Sequence, residues 1–242
     1  MKRLNDVALR LESIRRRIGE AAARAGRDVR DVEIVAVTKN VELEGVREAI
    51  RAGVSIIGEN RVQEAKRKFA ALGTSVEGRS CAWHLVGHLQ TNKVRPALEI
   101  FSLIHSLDSW KLACEVQRVA ERMGRVAECL LEINVSGKPS RFGVDPAEAV
   151  GLARQVSALD RVRLAGTMAI APEVEATEDA RPYFRMAREI CDRIADEGLF
   201  RPGRVHLSMG MTQDFEVAVE EGATMVRIGT GIFGPRQREA VL

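Results

Sequence analysis

The sequence predicts a parallel (β/α)8 barrel of TIM-like α/β type, preceded by one extra N-terminal helix, with a single domain over residues 1–242. Two observations carry that prediction. Eight short apolar runs recur with helix-periodic stretches between them, which is the order of a closed sheet of parallel strands. No Pro/Gly/Ser-rich linker interrupts the series, and 242 residues, 45% of them hydrophobic, suffice for one barrel-sized core.

Taken in order, the chain opens on a segment in which Leu4, Val7, Leu11, Ile14, Ile18 and Ala21 alternate at intervals of three and four. They draw one apolar stripe along a helix ending near Gly26. Arg15, Arg16 and Arg17 lie mostly off the stripe and read as a solvated face, with no aromatic residue interleaved to stack a base. "EIVAVTK" has no helical period and is rich in β-branching, so it reads as a strand buried on both faces. "VSIIGEN", "AWHLVGHLQ", "FSLIHSLD", "CLLEINVS", "RLAGTMAI", "RVHLSMGM" and "TMVRIGTGIFG" supply the other seven strands. Between them stand amphipathic stretches such as "VELEGVREAIRAG" and "SWKLACEVQRVAERMG", several closing on glycine. The third unit is the weakest, because "TNKVRPALEI" leaves room only for a short helix containing Pro96.

Barrels keep their chemistry at the carboxyl ends of the strands. Those ends offer Lys39, Glu59 with Asn60, His84 with His88, His105 with Ser106, Asn134 with Ser136, Thr167 with Met168, Ser208, and Arg227 followed by Gly229 and Thr230. A lysine held there can be desolvated until its amine is partly neutral and nucleophilic; a snorkelling lysine that opens a solvated loop is the competing reading. The last two units are the most specific. "HLSMGMTQDFE" enters a helix with Thr212 as its expected N-cap, and "RIGTGIFG" exposes backbone amides through three glycines, so both suit a phosphate at the loops where barrels prefer it. A metal is not expected. His84 and His88 on one extended strand would stand about 13 Å apart, too far for a shared ion, and no carboxylate recurs at ligand spacing.

The 37 basic and 34 acidic residues nearly balance, so nothing calls for nucleic acid. Cys81, Cys114, Cys129 and Cys191 are widely spaced inside apolar or helical stretches and are expected to be reduced packing residues. With no apolar signal core near the start and no segment of membrane-spanning length, the expected location is the cytoplasm, without a membrane partner.

In order and spacing, "VAVTK", "GENRVQE", "WHLVGHLQTNK", "IHSLDS", "INVSGKPSRFGV", "GTMAI" and "LSMGMTQDFEVAVEEGATMVRIGTGIFG" resemble the pyridoxal 5′-phosphate homeostasis family, single-barrel relatives of the alanine racemase N-terminal domain. The resemblance runs from about residue 30 to 235. It implies that Lys39 carries pyridoxal 5′-phosphate (PLP) as an internal aldimine. It further implies that Ser208 and the Gly229–Thr230 backbone hold the phosphate, that Asn60, His84 and Met209 line the pocket, and that Arg227 faces the pyridine nitrogen or the phosphate. The implied role is vitamin B6 homeostasis without catalysis, with apo PLP-dependent enzymes as clients and a monomer or weak dimer as the assembly. A PLP-dependent amino-acid racemase, or a related fold-type III enzyme, is the alternative. Racemases of this barrel type take a second acid/base from a tyrosine of another domain, whereas the one tyrosine here, Tyr183, falls mid-helix where packing is its expected role.

Overall fold

The eight apolar runs form strands β1 (Glu33–Val37), β2 (Ile56–Glu59), β5 (Ala82–Leu85), β6 (Leu103–Leu107), β7 (Ala127–Ile133), β8 (Val162–Ala169), β9 (His206–Met211) and β10 (Met225–Ile228); a hairpin of β3 (Ser75–Val76) and β4 (Arg79–Ser80) lies between the second and third. They close in the order β1-β10-β9-β8-β7-β6-β5-β2, every barrel pairing parallel. This architecture comes from a computed structural model that describes residues 2–235, with side chains from residue 6 onward. The ends of the expected 1–242 domain and the Leu4 side chain lie outside the described residues.

Strand alternation divides the core into two layers. Val35, Val37, Ile56, Leu103, Leu130 and Met225 pack together inside the barrel. Ala36, Ile57, Ile104, Leu131 and Val226 face outward, into the layer shared with helices α1 (Lys2–Arg24), α2 (Leu43–Arg51), α3 (Val62–Leu72), α4 (Val94–Ile100), α5 (Trp110–Arg122), α6 (Ala149–Ser157), α7 (Arg181–Asp196), α8 (Phe215–Glu220) and α9 (Thr230–Phe233). α4 is the short helix that Pro96 demands, with the proline in its first turn, where a missing N–H costs no helical bond.

α1 buries Val7, Leu11, Ile14 and Ile18, and at about 1.5–3 kcal/mol each these side chains make it integral to the core. The expectation that its arginines are merely solvated is corrected for two of the three. Arg15 Nη2 donates to the Gly53 carbonyl at 2.8 Å, while Arg17 Nε donates to Glu216 Oε1 at 2.7 Å and its guanidinium lies 4.6 Å from the Phe215 ring centroid. Arg16 stays on the surface with Glu20. The cysteine reading needs one correction as well: Cys81, Cys129 and Cys191 are buried, but Cys114 is exposed on α5. Tyr183 packs half-buried against the outer layer on α7, as its place in the helix predicts.

Candidate functional site

β1 ends at Val37, and Thr38 to Val41 turn back at the mouth, the Val41 N–H donating to the Thr38 carbonyl at 2.9 Å. Lys39 stands in that turn, two residues beyond the last interior residue of β1, Val37. Asn60 follows directly after β2. Because β1 pairs with both β2 and β10, Lys39 has Asn60 on one flank and the Gly229–Thr230 loop on the other. The two strand ends lie close together: a Cβ at Gly229 would meet the Val37 carbonyl oxygen at 3.4 Å, in van der Waals contact. The predicted N-cap is corrected here. Asp214, not Thr212, is the N-cap residue of α8, while Thr212 Oγ1 accepts the Gly231 N–H at 3.3 Å and lies 3.4 Å from Thr230 Oγ1, joining the loops after β9 and β10.

Below the mouth runs a buried polar chain. Arg227 on β10 donates through Nη1 to Ser208 Oγ at 2.7 Å and the Ser208 carbonyl at 2.8 Å, and through Nη2 to the Ala169 carbonyl at 2.8 Å. Ser208 Oγ is 3.0 Å from His105 Nδ1, and His105 Nε2 is 3.1 Å from His84 Nδ1. Arginine only donates, so Ser208 Oγ accepts from it. The two remaining bonds then run in one direction or the other, leaving His84 Nε2 a donor in one arrangement and an acceptor in the other. Burial lowers the Arg227 pKa to about 10, which leaves it cationic at neutral pH. Burial also drives His84 down to about 3 and His105 well below its ordinary value, with His84 and Arg227 adding to the effect on His105. Both imidazoles are therefore neutral links.

The structure brings Lys39, Asn60, Gly229 and Thr230 to the mouth, and His84, Ser208 and Arg227 to the interior beneath it. Met209 is not brought there by its side chain, which packs in the outer layer on the face of β9 away from Ser208, so only its backbone borders the interior. Asn134 and Ser136 stitch their own loop, Asn134 Nδ2 donating to the Lys138 carbonyl at 2.9 Å and Ser136 Oγ to Asn134 Oδ1 at 2.7 Å. His88 lies on the rim, 3.2 Å from Asp108 and stacked on Phe142. His84 is hydrogen-bonded to His105 and not to His88, and among the described residues no group of three or more His, Cys, Asp or Glu is arranged to hold a metal ion.

With this geometry the comparisons are consistent. The alanine racemase N-terminal domain model matches residues 9–237. A pyridoxal phosphate homeostasis protein from Aquifex aeolicus is 42% identical over 228 residues, covering 94% of this chain and 97% of that one. The chain belongs to the pyridoxal phosphate homeostasis family. The solved structure of PipY from Synechococcus elongatus, with PLP bound, is 37% identical at a TM-score of 0.80, covering 94% of this chain and all of that one. Alanine racemase from Clostridium difficile, 14% identical at a TM-score of 0.69, shares the barrel alone, this homeostasis-family chain spanning 59% of it.

Two features of this family member escape the sequence reading. Glu132 on β7 is buried inside the barrel with Oε2 unpartnered, and burial, aided by Asp108 and opposed by Arg227, raises its pKa to about 7. Lys68, buried on α3, is held by Glu59 and Glu64. The signals were present: a carboxylate inside the apolar run "CLLEINVS", and a lysine on the helical face of Ala65 and Leu72.

Proposed function

We propose that the chain binds PLP as a Schiff base on Lys39 and serves cytoplasmic vitamin B6 homeostasis without substantial catalytic turnover, as a monomer or weak dimer that passes the cofactor to apo PLP-dependent enzymes. The observation that carries this reading is the adjacency of the Lys39 turn and the Gly229–Thr230 loop at neighbouring strand ends, above a barrel interior that holds a buried cation. The names of the 42%-identical relative and of the PLP-bound PipY structure point to the same ligand.

The residues fit the group. When bound, PLP supplies an aldehyde for an amine, an electron-withdrawing pyridine ring and a phosphate. In this reading Lys39 provides the amine, while the Gly229 and Thr230 backbone with Ser208 takes the phosphate, where a bare Cα lets the chain come close. Asn60 and His84 wall the pocket, and Met209 contributes its backbone. Arg227, cationic and fixed by three hydrogen bonds, disfavours a proton on any ring nitrogen facing it. That choice of partner favours holding the cofactor over carbanion chemistry.

One observation favours the racemase alternative. Glu132, with a pKa near neutrality, stands on β7, four strands around the barrel from β1, and is able to hold or release a proton there. Tyr183 lies on α7 in the outer layer and offers no such group to the interior. The two readings separate in one experiment. PLP-loaded protein mixed with an apo-transaminase should restore its activity, while the loaded protein alone turns over no common amino acid. Lys39-dependent turnover at about 1 per second or more would establish the enzyme instead.

A further inference from the structure

Three charged groups beneath the Lys39 turn have no part in the site described above. Lys68 Nζ donates to Glu59 Oε1 at 2.7 Å, to Glu64 Oε1 at 2.8 Å and to the Thr38 carbonyl at 2.5 Å, which occupies all three ammonium hydrogens. Glu64 Oε1 also accepts the Asn40 N–H at 2.7 Å, and Glu59 Oε1 accepts the Thr38 hydroxyl at 2.5 Å. Packing α3 against the barrel does not require these charges, since well-fitted apolar residues in place of all three would avoid their desolvation. What they add is direction. One bond holds the peptide before Lys39 and another holds the peptide after it. Asn40 itself has a φ of 58°, in the left-handed region where asparagine is among the best tolerated residues after glycine, so the bond to its N–H fixes a turn that its own side chain permits.

We propose that Lys68, with Glu59 and Glu64, is a positioning cluster that clamps the backbone on both sides of Lys39 and so sets the direction in which the Lys39 amine leaves the turn at the barrel mouth. Its functional meaning rests on Lys39 as the cofactor-bearing residue, but the clamp is testable without cofactor.

The variants are Glu64→Ala, Glu64→Gln and Lys68→Met. Glu64 is only partly buried, so its two variants should fold even if Lys68→Met does not, and they then decide the matter. In the cofactor-free chain, Glu64→Ala should speed hydrogen exchange at the Asn40 amide about tenfold or more, the loss of one charge-assisted bond, with β1 and β2 amides unchanged. Glu64→Gln keeps an oxygen that accepts the Asn40 N–H and should stay within about threefold of the parent. In the PLP-loaded chain, circular dichroism of the visible cofactor band reads a fixed orientation. It should weaken in Glu64→Ala and Lys68→Met and return in Glu64→Gln. Unchanged Asn40 exchange and an unchanged band in Glu64→Ala, or equal losses in Glu64→Ala and Glu64→Gln, would overturn the clamp. If the parent chain itself shows no visible band with PLP, the assignment of Lys39 fails, while the exchange measurements still decide the clamp.

Discussion

Replacing Glu132 by glutamine should make the protein more stable, and only at higher pH. The residue is 6% exposed inside the barrel and its Oε2 has no partner, so one oxygen of its charged form lacks both water and a hydrogen bond. Burial first, and Asp108 second, raise the carboxyl from 4.5 to about 7, against the pull of Arg227. A folded pKa above the unfolded one means that, between those values, the native state holds a proton the unfolded chain has released. The Glu132 contribution is therefore intact below the unfolded pKa, declines as pH rises through the folded pKa, and stays lost above it. At about 1.4 kcal/mol per unit, the shift corresponds to on the order of 3 kcal/mol. Glutamine keeps the shape and cannot ionise. Denaturant unfolding near pH 4.5 and near pH 8 should find Glu132→Gln close to the parent at the lower pH and on the order of 3 kcal/mol more stable at the higher, with an unchanged m-value. Stability curves that run parallel from acid to alkali in the two proteins would refute the reasoning.

A half-buried imidazole works in the opposite sense. His206, lowered to about 4 by burial and then by Arg204 and Arg201, is neutral when folded, so its contribution is lost as pH falls below the unfolded value; His206→Gln should flatten the acid limb by about 1.4 kcal/mol per pH unit, and an unaltered slope would count against it. Arg227→Met should cost about 1–3 kcal/mol in equilibrium unfolding, because it strands buried acceptors at Ser208 and Ala169; no cost, or a gain, would show that the interior does not depend on the cation. Gly229→Val should weaken PLP retention in equilibrium dialysis by about tenfold or more by placing a branched side chain at the loop whose backbone amides would hold the phosphate, whereas exposed Lys66→Ala should not; equal retention would place the phosphate elsewhere.

The barrel was legible because period-2 and period-3.6 patterns alternate without interruption, and each apolar run became a strand. The placement of Lys39, Asn60, Gly229 and Thr230 at the mouth was legible for a related reason, since each lies within two residues of a strand's carboxyl end. What lies across the barrel was not. The His84–His105–Ser208–Arg227 chain joins four strands through side chains, and no spacing along the sequence encodes which interior residues meet. Met209 was misplaced because a motif marks a position but not the face of a strand. Thr212 was misread as an N-cap because Asp214, two residues later, begins the helix and accepts the Met211 N–H at 2.6 Å. Arg15 and Arg17 looked solvated because their partners lie on distant segments.

The most direct test of the central claim is to load the protein with PLP, reduce it with borohydride and map the modified peptide by mass. The account predicts a single pyridoxyl-phosphate addition on Lys39, with loss of the visible band in Lys39→Ala. Labelling of Lys93 or Lys138 in place of Lys39, or no addition at all, would contradict it.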